Sequence, residues 1–153
     1  MSSLLRAVEF TGIPQYGIVI VQDGARPVQE SLGPPMPGHI TAGEHSLSIW
    51  APESHVGFSP ALRMELWGGP HPAPPGYISA EADITVRTAD PEETPDWLGP
   101  SEDPYPPTWL GVQELAGWWY GQMLEVPGPG NYRVRALVRQ GQILIQVWRW
   151  RSA

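Results

Sequence analysis

The chain has 153 residues, no Cys and a formal net charge of −7. The length suits one domain, 1–153, with a full hydrophobic core. Absent Cys excludes disulfides, thiol nucleophiles and thiolate metal sites, and the acidic total argues against general nucleic-acid binding, which needs basic surface to release counterions.

The opening MSSLLRAVEF lacks a basic segment followed by a long apolar run, so no signal-peptide pattern is present. No apolar stretch approaches the roughly 20 residues of a membrane span. These features predict a soluble, cytoplasmic protein that makes no membrane contact. Residues 4–10 read as a first strand, and Gly12-Ile13-Pro14 breaks it. Tyr16 to Gln22, YGIVIVQ, is β-branched and almost continuously apolar, the pattern of a buried central strand. Asp23-Gly24 is a turn pair. Val28 to Leu32 reads as a short strand after Pro27, and GPPMPG (33–38) as a stiff loop, because Pro cannot donate to a ladder.

Alternation returns from Glu44 to Trp50, with Leu47 and Ile49 on one side and Ser46 and Ser48 on the other. Ala61 to Trp67 follows, with Leu62, Met64 and Leu66 against Arg63, Glu65 and Trp67. GGPHPAPPG (68–76) is a second Pro-rich loop. In Tyr77 to Thr88, Ile78, Ala80, Ala82, Ile84 and Val86 alternate with Ser79, Glu81, Asp83, Thr85 and Arg87, as in an antiparallel sheet with one wet face. Residues 89–107, ADPEETPDWLGPSEDPYPP, form a long acidic loop of a kind that is usually functional or disordered. Thr108 to Leu115 and Trp118 to Val126 read as strands, although a short helix also fits within Leu110 to Leu124. PGPG (127–130) turns the chain into its last segment.

That segment, Asn131 to Trp150, is two alternating runs around Gln140-Gly141. A two-residue type I′ turn needs positive φ at both centres, and Gly141 supplies one without steric cost. Pairing Arg139 with Gln142 sets Val138 opposite Ile143, Ala136 opposite Ile145, Val134 opposite Val147 and Trp148 opposite Arg133. One face is apolar. The other carries Arg133, Arg135, Leu137 and Arg139 against Gln142, Leu144, Gln146, Trp148 and Trp150. Eight to ten short strands, each with one apolar face, predict an all-β, single-domain antiparallel β-sandwich of jelly-roll or Ig-like type.

All nine basic residues are Arg, and Asn131 is the only Asn. Codon bias in a GC-rich genome accounts for both. Charge is segregated: Thr88 to Tyr132 holds eight acidic residues and no basic one, and Val126 to Ala153 holds five Arg and no acid. The acidic loop with Trp97, together with Tyr105 and Trp109, is therefore expected either to fold over the Arg/Trp face of the hairpin or to leave it for a partner. Arg133, Arg135, Leu144, Trp148, Trp150, Trp97 and Trp109 are the candidate binding residues, and Trp148 opposite Arg133 suits a cation–π contact.

Chemistry-bearing patterns are sparse. His39, His45 and His55, with Glu44 and Glu53, are weak metal-site candidates of a kind used in jelly-roll enzymes, but the cupin spacing of His and Glu is missing. The carboxylate pairs Glu92-Glu93 and Glu102-Asp103 lie in a loop where Pro and Gly imply exposure, whereas a general acid needs desolvation. No nucleophile elbow or phosphate-cradling loop occurs.

The C-terminal P-G-P-G-N-Y-R-V-R…L-I-Q-V-W segment (127–148) resembles the ending of small uncharacterised β proteins of GC-rich, actinomycete-like bacteria. Some small acidic β proteins of such bacteria resemble immunity proteins or inhibitors of secreted toxins. The resemblance implies a bacterial source and carries no activity. Together these readings predict a non-enzymatic, immunity- or inhibitor-like domain that binds another protein, or a second copy of itself, without a cofactor. A Trp-rich carbohydrate-binding module and a metal-dependent jelly-roll enzyme are the alternatives.

Overall fold

The computed structural model describes residues 2–10, 18–24, 39–50, 61–88, 107–114, 119–139 and 142–151. Val28 to Leu32, most of the acidic loop, and the Gln140-Gly141 turn lie outside them. The described residues form ten strands and no helix: β1 (Leu4–Phe10), β2 (Ile18–Asp23), β3 (Ile40–Ala42), β4 (Ser46–Trp50), β5 (Ala61–Trp67), β6 (Ile78–Val86), β7 (Trp109–Glu114), β8 (Trp119–Glu125), β9 (Gly130–Arg139) and β10 (Gln142–Arg151). The Leu110–Leu124 region is thus strand wherever it is described.

Two five-stranded sheets result, ordered β1-β5-β10-β9-β6 and β3-β4-β2-β7-β8. Alternation explains why they pack. Val134, Ala136 and Val138 on β9, and Ile143, Ile145 and Val147 on β10, point inward and are fully buried. They meet Val19 and Val21 of β2, Leu47 and Ile49 of β4, Leu110 and Val112 of β7, and Leu124 of β8 in one core. Burying each such side chain stabilises the fold by roughly 1.5–3 kcal/mol before chain entropy is counted. The architecture is the expected all-β sandwich.

The hairpin register is as the alternation predicts: Arg139 pairs with Gln142, Val138 with Ile143, Ala136 with Ile145, Val134 with Val147 and Arg133 with Trp148. Three features differ from the simplest reading. The β5–β10 ladder is parallel, so the first sheet is mixed. Ser46 and Ser48, on the side of β4 away from Leu47 and Ile49, are buried too, as are Gln22 and Gln113. The two Gln side chains share a 2.6 Å hydrogen bond, which satisfies part of the polar burial. Finally, Ile78 opens the apolar row of β6 yet is 57% exposed, and full burial in that row begins at Ala82.

Candidate functional site

The outer face of the first sheet is a grid set by strand register. One row runs Asp83, Arg133, Trp148, Trp67 and Leu4 across β6, β9, β10, β5 and β1. The next runs Glu81, Arg135, Gln146, Glu65 and Ala7, and a third runs Ser79, Leu137, Leu144, Arg63 and Glu9. Residues remote in sequence become neighbours because β10 lies between β9 and β5.

The middle row is a polar network below the surface. Arg135 donates to Gln146 Oε1 from Nη2 at 2.7 Å and from Nε at 3.2 Å. Its Nη2 also donates to the backbone carbonyl of His71. Gln146 Nε2 donates to Glu65 Oε1 at 3.4 Å. Glu65 further accepts from Arg63 Nε at 2.9 Å and from Trp67 Nε1 at 3.1 Å. Arg135 and Gln146 are both buried. Desolvation lowers the pKa of Arg135, and the Glu81 carboxylate at 3.7 Å partly restores it. The hydrogen bond that Arg63 donates to Glu65 raises the pKa of Arg63.

Segment 68–77 lies against this network. The His71 ring stacks on Trp67 with centroids 3.6 Å apart. Tyr77 donates to Gln142 at 3.2 Å, and its ring lies under Arg139 at 4.6 Å. The acidic loop, expected either to take this covering role or to leave the face for a partner, has its residues 89–106, Trp97 and Tyr105 included, outside the described residues. Among the described residues, the Pro-rich 68–77 segment occupies the position.

Carboxylates from β6 neutralise the upper row. Arg133 is 2.7 Å from Asp83 and 2.9 Å from Glu81. The alternation of β6 had placed Glu81 and Asp83 on a polar face, but only the β6–β9 ladder shows which guanidinium they meet.

The two hairpin Trp residues divide. Trp148 is buried, and its Nε1 has no hydrogen-bond partner among the described residues. Trp150 is 42% exposed. Each ring is covered by the Arg diagonal to it, a correction to the expected cross-strand pair: Arg135 lies 4.9 Å over Trp148 and Arg133 lies 4.2 Å over Trp150. Leu144 and Leu137 are buried in the third row, beyond Gln146 and Arg135. Trp109 is not brought to this face. It belongs to β7 of the other sheet, where it is buried and its ring packs on Gly24.

The His candidates do not converge where they are described. His39 is exposed before β3, His45 is half-buried before β4, and His55 lies outside the described residues. Among the described residues, no three His, Asp or Glu side chains gather around a point that would hold a metal ion.

The face therefore combines a buried polar network with a corner of Trp150, Arg133 and Asp83. That corner can make apolar, cation–π and charge-assisted contacts. It offers one indole whose face already carries a guanidinium, which is a poor platform for stacking a sugar ring.

No protein-family model matches the chain, and no curated protein matches it. A similar solved structure is ComJ, inhibitor of the DNA degrading activity of NucA, from Bacillus subtilis. The two share 10% identity at a TM-score of 0.48, over 97% of this chain and 98% of that chain.

Proposed function

We propose that this chain is a non-enzymatic protein-binding domain, of the inhibitor or immunity-like kind, that engages another protein through the Trp150 corner of the hairpin. The carrying observation is the exposure of Trp150 beside Arg133, a residue that the ladders of β9 to β6 and β10 hold on both sides. Trp and Arg are the residue types that dominate interface energies. Held on a paired strand, they lose little further freedom on binding. The net charge of −7 steers the domain toward a basic partner surface. No cofactor enters this reading, and the setting is cytoplasmic.

A photo-crosslinking residue at position 150, with a second at the exposed Glu9 as control, tests this in cells. The expected result is one discrete protein adduct from position 150 only. That protein, purified, should bind Trp150→Ala at least about tenfold more weakly than the native chain, a difference of about 1.4 kcal/mol. Equal adducts from both positions, or unchanged binding by the variant, overturns the proposal. An adduct with a second copy of the chain makes the corner a dimer contact instead.

A further inference from the structure

The two five-stranded sheets of the described residues have four edges, and natural edges are blunted by shortness, bulges, Pro or charged side chains. Three of the four are short or shift in register. β3 has three residues. The β1 ladder shifts register between Leu4 and Arg6. The β7–β8 ladder shifts between Gly111 and Gln113. Among the described residues, the fourth edge, β6, is blunted only by the charges of Glu81 and Asp83. β6 runs nine residues, contains no Pro, and pairs with β9 without a register shift. It also begins with an exposed Ile78.

We propose that β6 is a docking edge that accepts one further strand from another protein, an extended segment in which Arg or Lys alternates with apolar residues. The inference rests on the protein-binding reading and names a mode for it. The period-2 geometry fixes the chemistry of the occupant. On the outer face of β6, Glu81 and Asp83 stand between Arg133 and the open side, with side chains 37% and 53% exposed. A strand beside β6 meets those carboxylates first, so basic residues two apart on that strand face them directly. Its other face continues the apolar row that Ile78 begins. In the registers centred on the carboxylates, a second copy of this chain is disfavoured by the same geometry. Two-fold antiparallel pairing centred on Ala82 sets Glu81 of one copy opposite Asp83 of the other, and centring on Glu81 or Asp83 sets a carboxylate against itself. Like charges directly opposite destabilise a ladder.

The probe is a synthetic peptide of about seven residues, a usual strand length, alternating Arg and Val. Two relatives serve as controls: one with Asp for Arg, and one N-methylated at alternate backbone amides. Calorimetry measures affinity, and amide hydrogen exchange reads β6 directly. The Arg/Val peptide is expected to bind, to slow exchange within Ile78–Val86, and to bind at least tenfold more tightly than either control. The variant Glu81→Lys with Asp83→Lys should reverse the charge preference, and Glu81→Gln with Asp83→Asn should abolish it, with thermal melts confirming that each is folded. Equal binding of the N-methylated peptide, absent protection of β6, or a sedimenting dimer joined through β6 overturns the proposal. The position-150 crosslink reads the hairpin corner and not the β6 backbone. Failure of the peptide with the position-150 crosslink intact therefore removes the edge proposal alone.

Discussion

Arg133 lies 4.2 Å over the ring of Trp150, although its direct ladder partner is Trp148. The same diagonal joins Arg135 to Trp148 where the ladder is regular, whereas at Trp150 the register shifts between Arg149 and Arg151. The contact forms at the exposed end of the hairpin, while its counterpart, Arg135 over Trp148, is buried.

That difference predicts opposite phenotypes for two Trp residues two positions apart. Trp148→Ala should lower unfolding free energy by about 3–5 kcal/mol, as for other buried aromatic truncations. Trp150→Ala should change it by about 1 kcal/mol or less while weakening partner binding. Urea melts of both variants decide the point. A Trp150→Ala protein as unstable as Trp148→Ala would make the exposed ring a folding element.

Arg133 and Arg135 should also behave differently, since one pairs with partly exposed carboxylates and the other is the hub of a buried network. Arg133→Ala is expected to cost about 1 kcal/mol or less, diminishing in high salt, because Glu81 and Asp83 remain hydrated. Arg135→Ala strands Gln146 Oε1 and the His71 carbonyl away from water and should cost about 2–4 kcal/mol with little salt dependence. Arg135→Lys should not restore it, because a single ammonium cannot reproduce the planar fork. Equal losses and equal salt slopes for the two Ala variants would contradict the burial difference.

The hairpin was legible from residues alone because three local signals coincide there: period-2 alternation, a Gly at the turn, and apolar pairs that match across the ladder. The rows beyond it were not. Nothing near Glu65 or Trp67 announces that β5 runs parallel to β10, since parallel neighbours need no short connection and leave no turn signal. His71 lies in a stretch that reads as a bare Pro-rich loop and Tyr77 at the start of the strand read over 77–88, and their role exists only through the strands they lie against. Glu81 and Asp83 were visible as a polar face of a strand, but adjacency of β6 to β9 is a tertiary fact. Burial of Ser46, Ser48, Gln22 and Gln113 escaped for a related reason: alternation marks which face is polar and says nothing about what else covers it.

Gly24 marks a close approach between β2 and β7. Its amide donates to the Trp109 carbonyl at 3.0 Å, and a Cβ built there would fall within the Trp109 ring. The ring is buried, so it has no open space to swing into. Gly24→Ala should therefore cost about 1–3 kcal/mol by overpacking. Trp109→Leu will itself destabilise, but the double variant should be less harmful than the sum of the two, because the smaller side chain vacates the overlap. Strict additivity in denaturant melts would show that the clash is relieved elsewhere.

Tyr132 predicts an alkaline limit to stability. Its hydroxyl donates to the Gly128 carbonyl at 2.7 Å, and Arg149 lies 5.4 Å over its ring. Burial raises its pKa, while the nearby Arg149 guanidinium pulls the other way without cancelling the shift. A raised pKa in the folded state means that folding holds the proton more tightly than the unfolded chain does. The contribution is then complete below the unfolded value, about 10 for Tyr, and is lost as pH rises through the higher folded value. Tyr132→Phe removes this titration. It also removes the hydrogen bond, so the variant should be about 1 kcal/mol less stable at neutral pH yet lose less stability on going to strongly alkaline solution. Denaturant melts across that range, with phenolate absorbance followed by difference between the two proteins, measure both effects. Parallel stability curves for the native chain and Tyr132→Phe above pH 10 would rule out Tyr132 as the source of the alkaline loss.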